Sequence, residues 1–147
     1  MTRNNASTRT ILVVDDYADT RRVVRWMLER QGYRVVEAEG GAEAIEVAAR
    51  ERPALVLMDL SMPQTDGFDA TRSIHESEGL AGVPVIAMTA HDMLQFRDRA
   101  EETGFDYYIT KPIDFQRLAV LVEKLLGRGP AARGQAPAGR AGESPSS

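Results

Sequence analysis

The sequence predicts an α/β fold, a doubly wound (βα)5 unit whose five-stranded parallel sheet runs in the order 2-1-3-4-5. Three observations carry this. Five short apolar runs rich in β-branched residues recur along the chain, and segments with helical spacing separate them. The strand runs are apolar at successive positions, so both faces of the sheet must be covered, as right-handed crossover helices do in parallel sheets. A doubly wound order then follows.

In chain order, the strands are Ile11 to Val14, Arg34 to Ala38, Leu55 to Met58, Val85 to Met88 and Tyr107 to Ile109. The first helix carries Val23, Val24, Met27 and Leu28 and stops at Gly32. The second carries Ala44, Ile45, Ala48 and Ala49 and stops at Pro53. Phe68, Thr71 and Ile74 define the third. A fourth is expected through Met93, Phe96 and Ala100 to Gly104, and the fifth packs Leu118, Leu121, Val122 and Leu125.

The length of 147 residues and the 43% hydrophobic content suit one compact domain. The final segment from Gly127 to Ser147 holds five Gly, three Pro, five Ala and three Ser, and no large apolar side chain. It is expected to be a disordered tail. Residues 1–9 are expected to be a flexible N-terminus, leaving 10–126 as the folded domain. The tail takes three arginines and one glutamate, so the rest has 15 basic and 21 acidic residues, a balance of -6 against -4 for the whole chain. That balance argues against direct DNA binding and offers no polybasic patch for a membrane surface. Zero cysteines exclude disulfides, thiolate metal sites and a cysteine nucleophile. No apolar run is long enough to cross a bilayer, and the polar first ten residues lack the apolar core of a signal peptide, so cytoplasmic residence is expected.

Ligand sites of open parallel sheets form beyond the carboxyl ends of the strands. The first strand is followed by Asp15-Asp16, the third by Asp59, the fourth by Thr89-Ala90 and the fifth by Lys111-Pro112. Three neighbouring carboxylates repel one another, and a hard divalent cation relieves the repulsion. Mg²⁺ suits them, since it takes oxygen ligands and completes its shell with water and phosphate oxygens. A carboxylate can accept a phosphoryl group as an acyl phosphate, which makes Asp59 the candidate nucleophile. Lys111 would supply a positive point charge and Thr89 a hydrogen bond to the incoming oxygens. The small Ala90 leaves the backbone free to approach them.

These residues, in this order, resemble the receiver domains of response regulators. The motifs are Asp15-Asp16, the run Leu57-Met58-Asp59-Leu60-Ser61-Met62-Pro63 followed by Asp66-Gly67, then Met88-Thr89-Ala90 and Lys111-Pro112. The match spans Thr10 to Leu126 and suggests the stand-alone type. The resemblance implies a flavodoxin-like fold. It also implies Mg²⁺ on Asp16, Asp59 and the backbone carbonyl of Ser61, with Asp15 reaching the metal through water, and phosphorylation of Asp59. Thr89, Ala90, Tyr108 and a cis Pro112 would form the switch, remodelling the surface of the fourth helix, fifth strand and fifth helix. The implied partners are a histidine kinase or histidine phosphotransfer protein as donor and a downstream target protein as reader, with the chain a monomer or weak homodimer. It would assist only its own phosphorylation and dephosphorylation. Ser61 and His91 would border the phosphoryl group and affect its lifetime.

Singly, each residue has a plainer role: Asp16 as a helix cap, Asp59 as a turn former, Thr89 or His91 as caps and Lys111 as a solvated lysine. Their joint placement favours the phosphoryl reading. The alternative is a Mg²⁺-dependent aspartyl-phosphate phosphatase acting on an external substrate. Such haloacid-dehalogenase enzymes carry an Asp two residues after the nucleophile, where this chain has Ser61 after Asp59 and Ala18 after Asp16. Flavin binding would want a hydroxyl- or glycine-rich phosphate loop after the first strand, where Asp15-Asp16 would repel a phosphate. Trp26 falls at the flank of the first helix's apolar stripe and is expected to be partly exposed, packed against a neighbouring loop, with contact to a kinase or phosphotransfer partner as the sharper alternative. His75 is expected at the surface or as a cap.

Overall fold

The computed structural model describes residues 9–62, 67–89 and 103–127. Its elements are β1 (Thr10–Val14), α1 (Ala18–Arg30), β2 (Arg34–Ala38), α2 (Gly41–Glu51), β3 (Leu55–Asp59), α3 (Gly67–Glu76), β4 (Val85–Thr89), β5 (Tyr107–Thr110) and α4 (Phe115–Leu126). The α4 helix is the fifth helix of the sequence reading. The expected fourth helix lies outside the described residues apart from Thr103 and Gly104, as do residues 1–8 and 128–147 of the two terminal segments.

All strand pairings are parallel and the order is β2-β1-β3-β4-β5, as expected. Every residue of β3 and β4 is buried, while β2 and β5 form the edges. The period of two divides the strand side chains between two cores. Ile11, Val13, Leu55 and Leu57 face Val24 and Leu28 of α1 and Leu118 and Leu121 of α4. Leu12, Val14, Val56 and Met58 face Ala44, Val47 and Ala48 of α2 and Ile74 of α3.

Helix stops follow from local backbone. Beyond α1, Gly32 takes a φ of 99° and donates its N–H to the Glu29 carbonyl, a turn that glycine enters without steric penalty. Beyond α2, Arg52 holds a φ of 51° just before Pro53. Asp114 caps α4, its Oδ1 accepting the N–H groups of Gln116 and Arg117. Two helical stripes differ from expectation. Val47 replaces the exposed Ala49 on the buried face of α2, and Val23 of α1 is 44% exposed. The α1 axis turns Val24 and Leu28 to the sheet and leaves Val23 beside Pro112, Ile113 and Phe115 at the groove between α1 and α4. Among the described residues no helix is long and apolar enough to cross a membrane.

Candidate functional site

The parallel register sets the site. Val14 pairs with Met58, Asp59 with Met88 and Thr89 with Thr110. Consequently Asp15, Asp59, Thr89 and Lys111 all emerge at the carboxyl edge of the sheet. Asp15 and Asp59 are 0% and 1% exposed. Each carboxylate uses one oxygen to fold its own loop and offers the other to Lys111. Asp15 Oδ1 accepts the Tyr17 N–H at 2.9 Å, and Asp59 Oδ1 accepts the Ser61 N–H at 2.8 Å. Lys111 Nζ donates to Asp15 Oδ2 at 3.1 Å and to Asp59 Oδ2 at 3.2 Å. The ammonium thus bridges two buried acids from strands on either side of the switch point.

Asp16 follows at the exposed rim. It does not cap α1, whose first turn has no side-chain cap. Nor is Lys111 a solvated surface lysine. Asp59 does form a turn, so the plain role and the chemical one share a residue. Thr89 is 2% exposed at the end of β4, and its carbonyl accepts the Lys111 N–H at 2.7 Å. The Lys111–Pro112 bond is cis, as the resemblance implies. Tyr108 is half-buried and meets Phe105 edge to face at 6.1 Å, and Phe105 meets Phe68 at 5.6 Å. Pro63, Asp66, Ala90 and His91 lie outside the described residues.

Electrostatics couple the members of the cluster. Burial pushes the Asp59 carboxyl above its ordinary range and the nearby Asp15 charge pushes it further, outweighing the Ser61 amide and Lys111. Burial opposes the charge on Lys111, but Asp59 and Asp15 overcome it and hold the ammonium above its ordinary value. Carboxylate oxygens of Asp15, Asp16 and Asp59 lie within 4.8 Å of one another. Three carboxylates against one ammonium leave two negative charges, which an oxygen-seeking divalent cation neutralises. The donor set fits Mg²⁺ on that ground.

Two residues near the site escaped the sequence reading as site elements. Gly67 opens α3, where an added Cβ would lie 2.7 Å from the Leu60 side chain and 3.0 Å from the Asp59 carbonyl oxygen. Its signal was present in the Asp66-Gly67 motif, but the close approach was not. Arg21 of α1 donates to the Asp15 carbonyl and to Glu37 of β2. Nothing local marks that pairing, because the sheet alone brings Glu37 there. Trp26 is 60% exposed, stacked under the Arg30 guanidinium at 4.9 Å and facing Phe115, Gln116 and Ala119 of α4 where a loop was expected. His75 is half-buried, its Nε2 donating to the Val83 carbonyl at 2.9 Å, and is not a simple surface residue.

Comparison with known proteins agrees with this geometry. The family model described as the response regulator receiver domain matches residues 11–123. The chain is 32% identical over 120 residues to the polar-differentiation response regulator DivK of Brucella ovis, covering 82% of this chain and 98% of DivK. It is 40% identical over 114 residues to an uncharacterised 14.6 kDa protein of Leptolyngbya boryana, covering 78% and 87% of the two chains. Among solved structures, the receiver domain of the Pseudomonas aeruginosa sensor histidine kinase PA1611, described with a magnesium ion coordinated in its active-site cleft, superposes with a TM-score of 0.74. That domain is 33% identical, with 82% and 98% coverage of this chain and its own. The chemotaxis protein CheY4 of Vibrio cholerae shares the fold, with a TM-score of 0.77 at 23% identity over 80% of this chain and 98% of its own. The chain belongs to the response regulator receiver domain family of two-component signalling.

Proposed function

We propose that this receiver accepts a phosphoryl group on Asp59 from a phosphohistidine of a histidine kinase or histidine phosphotransfer protein. The observation that carries the reading is the Asp59 carboxyl itself, 1% exposed at the end of the central strand and bridged to Asp15 by Lys111. In the transfer, a carboxylate oxygen of Asp59 bonds to phosphorus while the donor's P–N bond breaks, and the imidazole nitrogen leaves with the electron pair. The product is an acyl phosphate. Lys111, 3.2 Å from Asp59 Oδ2, sets a positive charge beside the phosphoryl oxygens, and Thr89 offers its hydroxyl to one of them. Bound at Asp15, Asp16, Asp59 and the Ser61 carbonyl, Mg²⁺ would supply the remaining charge neutralisation.

Protein partners fit the surfaces. Tyr17 and Val23 are 60% and 44% exposed at the start of α1, where Val23 lines a groove of about 310 Å³ that reaches Lys111 and Phe115. Exposed apolar side chains on the groove that reaches Lys111 support docking of a protein donor over capture of a free ester. On the output side, Val120 of α4 is 58% exposed, and we assign the β5 and α4 face, with Tyr108 as its switch aromatic, to a downstream target protein.

The test is incubation with acetyl phosphate and Mg²⁺, followed by intact mass. Wild type should gain one phosphoryl group, and EDTA or the Asp59→Asn substitution should abolish the gain. Equal labelling of the Asp59→Asn protein would overturn the reading, and sustained turnover of external phosphate esters would favour the phosphatase alternative.

A further inference from the structure

The ion-pair network on the far side of Asp15 has no part in the phosphoryl chemistry above, yet it touches the site's backbone. Arg21 is only 11% exposed. Its Nη1 donates to the Asp15 carbonyl oxygen at 2.8 Å and its Nε to Glu37 Oε1 at 2.8 Å, while Glu39 lies 3.6 Å from Nη2. Glu37 is fixed in turn, its other oxygen accepting Arg25 Nη1 at 2.7 Å. Through this chain of contacts, β2 anchors a guanidinium onto the loop that follows β1.

The atom held is the carbonyl oxygen of Asp15, and a planar peptide joins that carbonyl to the nitrogen of Asp16. Fixing the oxygen fixes the plane, and with it the direction in which the chain presents Asp16. Asp16 sits at the exposed rim and α1 offers it no capping bond. Lys111 and the Tyr17 amide immobilise the side chain of Asp15. Neither contact fixes the peptide that carries its neighbour.

We infer that Arg21, anchored by Glu37, is a positioning residue for the divalent cation site: it orients the Asp15–Asp16 peptide so that both carboxylates converge with that of Asp59. The inference rests on the metal reading above. It makes a prediction of opposite sign to simple electrostatics. Removing a positive charge near a cation site should tighten cation binding, whereas removing a positioning contact should weaken it. Partners of this kind typically change metal affinity by about 10- to 100-fold.

The experiment is calorimetric titration of the full chain with MgCl₂ at fixed ionic strength, for wild type, Arg21→Met and Arg21→Lys. Arg21→Met should bind Mg²⁺ about tenfold or more weakly than wild type. Arg21→Lys keeps the charge but lacks the planar fork that holds both partners, and should fall between the two. Unchanged or tighter binding by folded Arg21→Met overturns the inference. Should that variant fail to fold, Arg21→Lys decides, and wild-type affinity there overturns it equally. Absence of Mg²⁺ binding by wild type removes the metal reading and this inference with it, whereas wild-type binding with no loss in the variants removes the inference alone.

Discussion

Replacing Asp59 by Asn should stabilise the metal-free protein while disabling it. A carboxylate oxygen of Asp59 lies within 4.8 Å of one on Asp15, a repulsion of about 3.5 kcal/mol at an effective dielectric near 20. Lys111 at 3.2 Å returns about 5 kcal/mol on the same scale. The difference of about 2 kcal/mol, before the further repulsion of the exposed Asp16 is added, is smaller than the several kcal/mol that burying an ion costs. An amide keeps the shape, and its carbonyl can still accept the Ser61 N–H, while Lys111 retains Asp15 at 3.1 Å. We expect a gain of about 2 kcal/mol at pH 7, or roughly 6 °C in Tm, read by urea and thermal unfolding in EDTA.

The pH dependence has a fixed sign. Because the folded-state pKa of Asp59 is raised, the folded wild type binds more protons than the unfolded chain between the ordinary aspartate value and the raised one. Its stability therefore falls as pH rises through that window. The advantage of Asp59→Asn should be full above the window and vanish below the ordinary value. Mg²⁺ should then narrow the gap by stabilising wild type more. Equal or lower stability of Asp59→Asn in EDTA at pH 7 would refute the reasoning.

Three further outcomes follow from the same contacts. Lys111→Met leaves Asp15 and Asp59 buried without their shared cation, so it should lose about 3 kcal/mol at pH 7, a loss that shrinks in acid, as pH-dependent urea midpoints would record. Gly67→Ala forces a methyl group against Leu60 and the Asp59 carbonyl, and should cost about 1–3 kcal/mol in denaturant unfolding. Asp114→Ala removes the acceptor for two N–H groups at the start of α4, and should cost about 1 kcal/mol with no change in Mg²⁺ affinity.

The sheet was legible because its signals are local. Ile11 to Val14 and Leu55 to Met58 are unbroken apolar runs, and both became buried strands one residue longer than expected, with only the added Thr10 partly exposed. The acidic pair, Asp59, Thr89 and Lys111 were legible for a related reason: each ends a strand or lies just beyond one, and parallel register brings strand ends together whatever the details of packing. Helix faces were harder. Val23 and Val47 are decided by how α1 and α2 lie on the sheet, and a spacing of three or four residues does not distinguish neighbouring positions on a stripe. Least legible was Arg21. It looks like one more charge on a surface helix, and its role depends on Glu37, 16 residues away on an edge strand.

Chemical trapping decides whether Asp59 carries the phosphoryl group. After incubation with acetyl phosphate and Mg²⁺, borohydride reduces an aspartyl phosphate to homoserine, which peptide mass spectrometry locates by residue. Homoserine is expected at position 59 alone, dependent on Mg²⁺. Homoserine at Asp15 or Asp16, or at no position while the intact protein gains phosphoryl mass, would contradict it.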